Sequence, residues 1–263
     1  MTITTLNGLI AATKTQIIWN KTGTRTIVGA APYNLDGVAG TPTGTIAVGN
    51  TAAGVVPTDD GSYGPLLPAI SNVGYISRIV ASSSVACTMV LYDRLFACGA
   101  YAYNANTNLG TQPSFAGRIT NADEQHELWA EAVTVFTGTP SVNVSYLDQG
   151  GNSGTTGAVA CPVTTPPVGR MWRLPLAAGD TGIYGAAGIV NVTGTVASGG
   201  TFNVSVMRPL ASLRIPIANS NVVQDFLATG MPRIYATSCL WVVMYADSTA
   251  VGLPYMFIEL ADG

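Results

Sequence analysis

The clearest pattern along the chain is a strict alternation of polar and apolar residues in two short segments. Residues 141–146 read Ser-Val-Asn-Val-Ser-Tyr, and residues 201–206 read Thr-Phe-Asn-Val-Ser-Val. Because successive side chains of a β-strand point to opposite faces, this period of two predicts antiparallel strands with one face on a core. Residues 85–92 and 239–245 are apolar almost throughout, which favours strands that are buried on both faces.

The N-terminal part of the chain, residues 1–65, follows a different pattern. Apolar residues between Leu6 and Ile17 fall at helical spacing, and they predict one short amphipathic helix over about residues 6–18. Gly, Ala, Thr and Pro then dominate, and residues 45–48 allow at most a short strand. We therefore expect an extended arm that lies on a neighbouring surface, and a flexible linker is the alternative.

Landmarks in the last two hundred residues recur in the same order, which indicates an internal duplication. The corresponding segments are residues 66–75 and 174–183, Arg94 and Arg208, Arg118-Ile119 and Arg233-Ile234, Leu128-Trp129 and Leu240-Trp241, and residues 146–150 and 259–263. The distance between copies varies, as loop insertions between fixed strands would make it. Chance similarity between two Val- and Thr-rich segments is the alternative explanation.

These patterns predict an all-β fold with two tandem jelly-roll-like antiparallel β-sandwich units that follow the arm. The units cover residues 66–151 and 174–263, and each holds about seven or eight short strands. Residues 152–173, rich in Gly and Pro, form the predicted linker between them. A charged helical segment at residues 122–127 is interpreted as a loop insertion. Whether the units form two sandwiches or one larger sandwich stays open.

Charge is scarce in this chain. Only 10% of its 263 residues are Asp, Glu, Lys or Arg, against about 25% in an ordinary soluble domain. Such a composition is typical of a protein covered by other subunits, although a secreted Thr-rich β-domain has a similar composition. The net charge of −3 and the scattered arginines argue against nucleic-acid binding, which needs clustered basic residues.

The sequence also argues against membrane insertion and secretion. No stretch approaches the roughly 20 apolar residues of a membrane-spanning helix, and residues 1–6 lack the basic start and apolar run of a secretory signal. Synthesis and retention in a cytoplasm is the expectation. Cys87, Cys98, Cys161 and Cys239 form no CxxC pair, so buried free thiols are expected, with a Cys87–Cys98 disulfide as the alternative.

Candidate catalytic and metal-binding groups are weak. His126, Asp148 and Ser153 stand in the order of a serine-protease triad, but they lie close together in the chain, which favours a Gly-rich turn. The acidic group at residues 123–127 has one histidine only and is interpreted as a solvated loop. Residues 59–61 are interpreted as a turn rather than a calcium site. We expect no cofactor, no metal and no enzymatic activity.

Five residues are the candidate interface residues. Arg94 and Arg208 follow strand-like segments in both copies, so each either binds a carboxylate or backbone carbonyls within the chain or forms an intersubunit salt bridge. Trp172 lies beside Arg173, at a subunit contact or in simple packing. The set is Trp19, Trp172, Arg173, Arg94 and Arg208.

Four segments together suggest a family. These are the Gly/Thr/Ala-rich segment Gly40–Gly61, the strand-like Arg78–Cys87, Leu128-Trp129 and the ending Glu259–Gly263. With them the chain resembles virion structural proteins of tailed bacteriophages, most closely the head decoration or cement proteins. The chain lacks the long charged helix and mixed α/β composition of the common tailed-phage major capsid proteins, which puts shell formation in doubt.

The resemblance implies a jelly-roll or other β-sandwich body, often a homotrimer, that clamps neighbouring capsid subunits. It also implies the major capsid protein or other virion subunits as partners. The expected location is the virion, after synthesis in the bacterial host cytoplasm.

The main alternative is a tail-fibre, baseplate or surface adhesin module that binds a host glycan, and a hydrolase is a more distant one. Trp129 and Trp241 occupy equivalent apolar positions and are interpreted as core anchors rather than sugar platforms. Exposed tyrosines grouped at one loop end would favour the adhesin, and dispersed or buried ones the cement protein. The tyrosines that discriminate are Tyr101, Tyr103, Tyr146 and Tyr184.

Overall fold

The segments with strict alternation form strands, as their period of two predicts. Ser141–Leu147 alternates between half-buried and buried side chains along its whole length, and residues 201–206 begin the strand Thr201–Ile215. The computed structural model describes residues 3–46, 50–59, 63–71, 73–119, 125–136, 138–195 and 199–263. With 48% strand, 5% helix and antiparallel sheets in a sandwich-like arrangement, the structure confirms the all-β class.

Strands make up most of the regular structure, and helical elements are few and short. In chain order the strands are Thr13–Lys21 (β1), Pro32–Asn34 (β2), Gly40–Thr41 (β3), Asn50–Val55 (β4), Gly74–Ser82 (β5), Cys87–Ala102 (β6), Asn106–Asn108 (β7), Glu127–Ala132 (β8), Ser141–Leu147 (β9), Ser153–Thr155 (β10), Val159–Ala160 (β11), Met171–Leu174 (β12), Ile189–Gly194 (β13), Thr201–Ile215 (β14), Asn221–Gln224 (β15), Arg233–Ile234 (β16), Leu240–Ala246 (β17) and Tyr255–Asp262 (β18). The helical elements are Leu6–Ala11 (α1), Phe226–Thr229 (α2) and a 3-10 turn at Ala116–Arg118.

The N-terminal helix is shorter than the sequence predicts. Thr5 caps it, because its hydroxyl oxygen accepts a hydrogen bond from the Gly8 amide at 3.0 Å. The helix then ends at Ala11 instead of continuing to residue 18. Residues 13–21 form β1, which pairs with β18, because Thr and Ile residues suit an extended strand that buries alternate side chains.

The central sheet is built around the two longest strands. Its spatial order is β12, β8, β14, β6, β17 and β2, and β4 also pairs with β6. β14 runs antiparallel to β6 from Thr201 opposite Ala102 to Ile215 opposite Cys87.

Two smaller sheets complete the fold. The first outer sheet has the order β15, β5, β18, β1 and β3, with β16 also paired to β5. The second outer sheet has the order β10, β9, β13 and β7, with β11 also paired to β9. We call each outer sheet, together with the part of the central sheet that shares its apolar core, a lobe.

The two lobes have separate apolar cores that use different halves of β6 and β14. Met89 and Leu213 belong to the core of the first lobe, whereas Phe96 belongs to that of the second. Trp129 and Trp241 lie in a third, smaller buried cluster, which confirms their prediction as core anchors.

The predicted arm is folded into the sheets, which corrects the arm interpretation of residues 1–65. β1 places Ile17 and Trp19 in the first core, and β2 pairs with β17. The total accessible surface is 10218 Å², close to the roughly 10,900 Å² that a compact monomer of this mass has. An extended arm would have added surface, so this segment stabilises its own chain.

The two predicted tandem units share all three sheets. β5, from residues 66–151, pairs with β18, from residues 174–263. In the same way β9 pairs with β13, and β6 pairs with β14. The predicted linker at 152–173 therefore does not separate two sandwiches, and it supplies β10 and β11 itself.

The pattern of strand pairing nevertheless repeats. If β5, β6, β7, β8 and β9 are matched with β13, β14, β15, β17 and β18, each pairing has a counterpart: β5·β18 with β13·β9, β15·β5 with β7·β13, and β17·β6 with β8·β14. Arg94 and Arg208 fall on matched strands. Residues 66–75 and 174–183 do not correspond, since the first reaches β5 and the second ends before β13. The first strand of each matched set is therefore exchanged between the lobes. β5 lies in the lobe of β15, β17 and β18, and β13 lies in the lobe of β7, β8 and β9.

Other sequence predictions have mixed outcomes. All four cysteines are buried and free, as expected. In the segment 45–48, Thr45 and Ile46 are not in a strand, and residues 47 and 48 lie outside the described residues. For the helical segment 122–127, residues 122–124 lie outside the described residues and Glu127 begins β8.

A cut within the predicted linker tests this interleaving. A protease site inserted between the exposed residues Gly157 and Ala158, once cleaved, should leave the two fragments associated, because β6 and β14 hold them together along their whole length. Size-exclusion chromatography under native conditions should give one peak at the mass of the intact chain. Two separate folded fragments would instead show independent tandem units.

Candidate functional site

A buried carboxylate lies near the middle of the β6–β14 pair, where these two strands pass from one lobe into the other. Asp93 is fully buried, and it stands opposite Arg208 in the sheet. Its Oδ2 atom accepts hydrogen bonds from the Arg208 guanidinium at 3.0 Å and from the Ser238 hydroxyl at 2.7 Å. Its Oδ1 atom accepts from the Arg118 guanidinium and, at 3.0 Å, from the backbone amide of Cys239. Asp93 on β6 is therefore joined to three other places in the sequence, residues 118, 208 and 238–239.

The two arginines extend this network to backbone carbonyls. Arg118 donates to the carbonyl oxygens of Pro57 at 2.7 Å and Arg94 at 2.9 Å. Arg208 donates to the carbonyl of Arg233 at 2.9 Å. Since a guanidinium carries several fixed donors, each arginine binds the carboxylate and a neighbouring loop at once.

A second group of buried charges joins the N-terminal segment to the central sheet. Arg94 lies 4.1 Å above the ring of Trp241 and donates to the Ser205 hydroxyl at 3.1 Å. The Trp241 indole in turn donates to Asp36 at 2.9 Å. Glu131, 3.9 Å from Arg94, accepts from the Asn34 amide at 2.6 Å. Residues on β2 and just beyond it are thus bound to side chains of β8 and β17, and both of those side chains lie beside Arg94 of β6.

Burial shifts the acid–base equilibria of this second group. Loss of hydration raises the pKa of Glu131 to about 7, although Arg94 and the amides of Asn34 and Asn203 favour the ionised carboxylate. Burial also raises the pKa of Asp36 above its ordinary value, and the Arg94 charge opposes that shift. The carboxyl of Glu131 therefore changes protonation near neutral pH.

Most of the candidate interface residues are buried within the protein. Trp19, Trp172, Arg94 and Arg208 are each at most 4% exposed. For the two arginines this supports the interpretation that they bind groups of their own chain. Arg173 alone is exposed, with 60% of its side chain accessible, and its guanidinium lies 3.5 Å from the Glu127 carboxylate. The interface hypothesis is therefore kept for Arg173 only.

The discriminating tyrosines are not grouped at a loop end. Tyr101, Tyr103 and Tyr146 are buried, whereas Tyr184 is 42% exposed. An adhesin that stacks sugars on aromatic rings needs several of them exposed together, so this distribution favours a structural protein.

Two of the three residues that stand in triad order, His126 and Asp148, have separate local partners. The Asp148 carboxylate accepts from the amides of Gly150 and Asn152, both at 2.8 Å, as in an ordinary Asx turn. The Nδ1 atom of His126 accepts from the Ile183 amide at 3.3 Å. Ser153 is exposed in β10. The structure therefore shows a turn at Asp148–Asn152, and it places Ser153 and Gly154 in strand β10 rather than in the Gly-rich turn that the sequence predicts.

The candidate metal sites fall partly outside the described residues. Residues 60, 61, 123 and 124 lie outside them. Asp59 accepts a hydrogen bond from the Leu67 amide at 3.1 Å. No group of three or more His, Cys, Asp or Glu side chains suited to a metal ion occurs in the described parts of the chain.

A cavity of about 400 Å³ lies beside His126. It is lined by Gln125, His126, Glu127, Arg173, Pro175, Leu176, Asp180 and Thr181. Its two carboxylates are engaged by neighbours: Glu127 accepts from the Tyr92 hydroxyl and the Trp129 indole, both at 2.9 Å, and Asp180 accepts from Tyr146 at 2.7 Å. These hydrogen bonds hold both carboxylates in place at the wall of the cavity.

An apolar row crosses the outer face of the first outer sheet. It consists of Ile18, Phe257, Val80 and Val223, which stand opposite one another in register on β1, β18, β5 and β15. Ile18 is 50% exposed and Val223 54% exposed. With strands about 4.8 Å apart, the row spans about 14 Å of surface. An apolar strip of this kind on a sheet face is suited to contact with another protein.

The corresponding face of the second outer sheet is entirely different. It presents a set of neutral amide and hydroxyl side chains that we call the amide face. Its members are Asn106, Asn108, Asn143, Ser145, Thr155, Asn191 and Thr193. Neighbouring members are hydrogen-bonded to one another, so the set is ordered. The two lobes therefore share a strand pattern but expose different chemistry.

Sequence reasoning did not single out Asp93, Asp36 or the two outer faces. A signal for Asp93 was present, since it is a charged residue inside an otherwise apolar strand. The outer faces depend on which strands become neighbours, and that information is not local.

Comparisons with known proteins give no family for this chain. No family model and no curated protein matches it. Weak structural matches include infectious bursal disease virus, Gt strain (9% identity, 95% of this chain and 80% of the other, TM-score 0.20) and T=1 particles derived from that virus (9% identity, 95% and 77%, TM-score 0.20). The Gx strain gives 8% identity, 95% and 80%, and a TM-score of 0.20. These scores are too low to establish a shared fold. No helix in the described residues has the length and apolar character needed to cross a membrane.

Replacing the central carboxylate should strongly destabilise the protein. Asp93→Asn leaves the buried guanidiniums of Arg118 and Arg208 without a counter-charge, so we expect a loss of about 3–5 kcal/mol in the free energy of unfolding, measured with urea. The control is Asp247→Asn, which breaks the exposed pair with Arg214 and should change stability little. Equal effects of the two substitutions would contradict a central role for Asp93.

The contribution of Glu131 to stability should fall as pH rises from about 4.5 to about 7. The folded state keeps the proton of Glu131 up to about pH 7, whereas the unfolded chain releases it near 4.5, so the folded state binds more protons in this window. Glu131→Gln should flatten the pH dependence of the urea midpoint between these limits. An unchanged slope in this variant would show that Glu131 ionises normally in the folded protein.

Proposed function

We propose that this protein is a non-enzymatic virion structural protein that decorates or cements a phage capsid by bridging neighbouring shell subunits. The observation that carries the proposal is a rigid β-body whose surface has few charges and carries an exposed apolar row. At least eight of its 25 Lys, Arg, Asp and Glu residues (11 basic and 14 acidic) are buried. The remaining surface depends on neutral groups, which suits a surface that other subunits cover.

The proposed contact with the shell is the outer face of the first outer sheet. Ile18 and Val223 lie at the two ends of the apolar row, so a shell subunit that covers the row removes apolar surface from water on four adjacent strands. The four strands that carry the row are hydrogen-bonded side by side in one sheet, so little backbone conformational entropy is lost on binding. Several such contacts per particle would make the attachment long-lived.

In this proposal the N-terminal segment does not act as an extended arm. Because β1 is a strand of the docking sheet, the body itself makes the contact. A homotrimer, the major capsid protein as partner, a virion location and synthesis in a bacterial cytoplasm all stay part of the proposal. Light scattering of the purified protein measures the oligomeric state directly.

Binding to shells should depend on the apolar row. The double variant Ile18→Thr, Val223→Thr keeps β-branched side chains but adds hydroxyls, and we expect its affinity for undecorated capsids to fall at least about tenfold in a co-sedimentation assay. The matched control is Val135→Thr, which changes an apolar side chain that is 58% exposed outside the row. The control should bind as the unmodified protein does.

Two results would count against the proposal. If the unmodified protein fails to co-sediment with shells but binds host cells, the adhesin becomes the better hypothesis. If it binds shells and the double variant binds equally well, the apolar row is not the contact.

A further inference from the structure

The amide face differs from an ordinary polar surface because its acceptors are used within the face. The Asn191 amide donates to the side-chain oxygens of Asn106 at 2.8 Å and Asn108 at 2.7 Å. The Thr155 hydroxyl donates to the side-chain oxygen of Asn143 at 2.8 Å. These bonds fix which side of each asparagine amide is turned toward its neighbour.

Three side-chain amides of the face keep N–H donors that are available to a ligand. Within the described residues, the side-chain nitrogens of Asn106, Asn108 and Asn143 donate no hydrogen bond to the protein. Asn106 and Asn108 are exposed in β7, and Asn143 is half-buried in β9. The face therefore presents ordered N–H donors on two strands, held in place by the Asn191 and Thr155 bonds.

The charge of the face limits the class of ligand. None of its seven members carries an ionisable group. A charged ligand would lose hydration there without gaining an ion pair, whereas a neutral ligand with many oxygen acceptors matches the donors. Because neighbouring strands repeat about every 4.8 Å, a chain with repeated hydroxyl groups can engage several donors at once.

From this geometry we infer that the amide face binds a neutral polysaccharide. The inference goes beyond the proposed attachment to a shell and does not depend on it, since it concerns the other lobe. The duplicated pattern of strands thus carries two different binding surfaces, an apolar one on the first outer sheet and a hydrogen-bonding one on the second.

Asparagine-to-aspartate substitutions test the inference directly. In Asn108→Asp with Asn143→Asp, the carboxylate oxygens still accept from Asn191 and Thr155, but the outward donors are lost. We expect the double variant to bind at least about tenfold more weakly in affinity electrophoresis through gels that contain dextran, soluble starch, galactomannan or arabinogalactan. Unmodified protein should be retarded in at least one of them and not in a gel with anionic alginate.

The matched control is Asn221→Asp on β15, the strand that corresponds to β7 in the other lobe. It makes the same chemical change at an exposed position, and it should leave retardation unchanged. Thermal unfolding of all variants checks that the fold is intact.

Three outcomes would overturn the inference. The first is that no neutral polysaccharide retards the unmodified protein. The second is retardation that the double variant retains or that alginate alone causes. The third is sedimentation velocity showing that the double variant dissociates a dimer, since the amide face would then be a contact between copies. Shell co-sedimentation of the double variant, expected to be unchanged, is the independent readout for the proposed attachment.

Discussion

The carboxylate of Asp93 is the group on which the arrangement of the two lobes depends. It is fully buried, and it accepts hydrogen bonds from the guanidiniums of Arg118 and Arg208, the Ser238 hydroxyl and the Cys239 amide. An uncompensated buried charge costs several kcal/mol, so these groups must reach their places together. The loop at Arg118, the strand β14 and the start of β17 are thereby held to β6 at a single point.

That point lies at the middle of the repeated strand pattern. Asp93 and Arg94 on β6 stand opposite Arg208 and Met207 on β14, and the two lobes extend away in opposite directions along these strands. The copies are not identical there, because the residue that corresponds to Asp93 in β14 is Met207. One carboxylate between two arginines gives a network in which both halves of the chain are required, which is consistent with strands exchanged between the lobes.

The interior and the outer faces of the protein carry different kinds of polar group, and this difference has consequences for function. Much of the chemistry that sequence inspection usually assigns to active sites is used for structure in this protein, since Glu131, Asp36 and the arginines bind one another or the backbone. The outer faces, by contrast, differ between lobes: the first carries the apolar row beside the charged pair Arg78 and Glu259, and the second carries the neutral amide face. A body with two unlike faces is suited to contacts with other macromolecules, and the apolar row is the physical basis of the proposed attachment to a shell.

Local patterns in the chain were enough to predict the class of fold and several strands. The period of two at residues 141–146 and 201–206 depends only on side-chain alternation, and the buried, free cysteines and core tryptophans follow from local polarity. Recurring landmarks also indicated a duplication. They could not show that β5 joins β18 and β13 joins β9, because strand pairing is a long-range choice. Folding was needed to bring Asp93 to its arginines and to set the seven polar side chains of the amide face side by side, since those contacts join residues far apart in the chain.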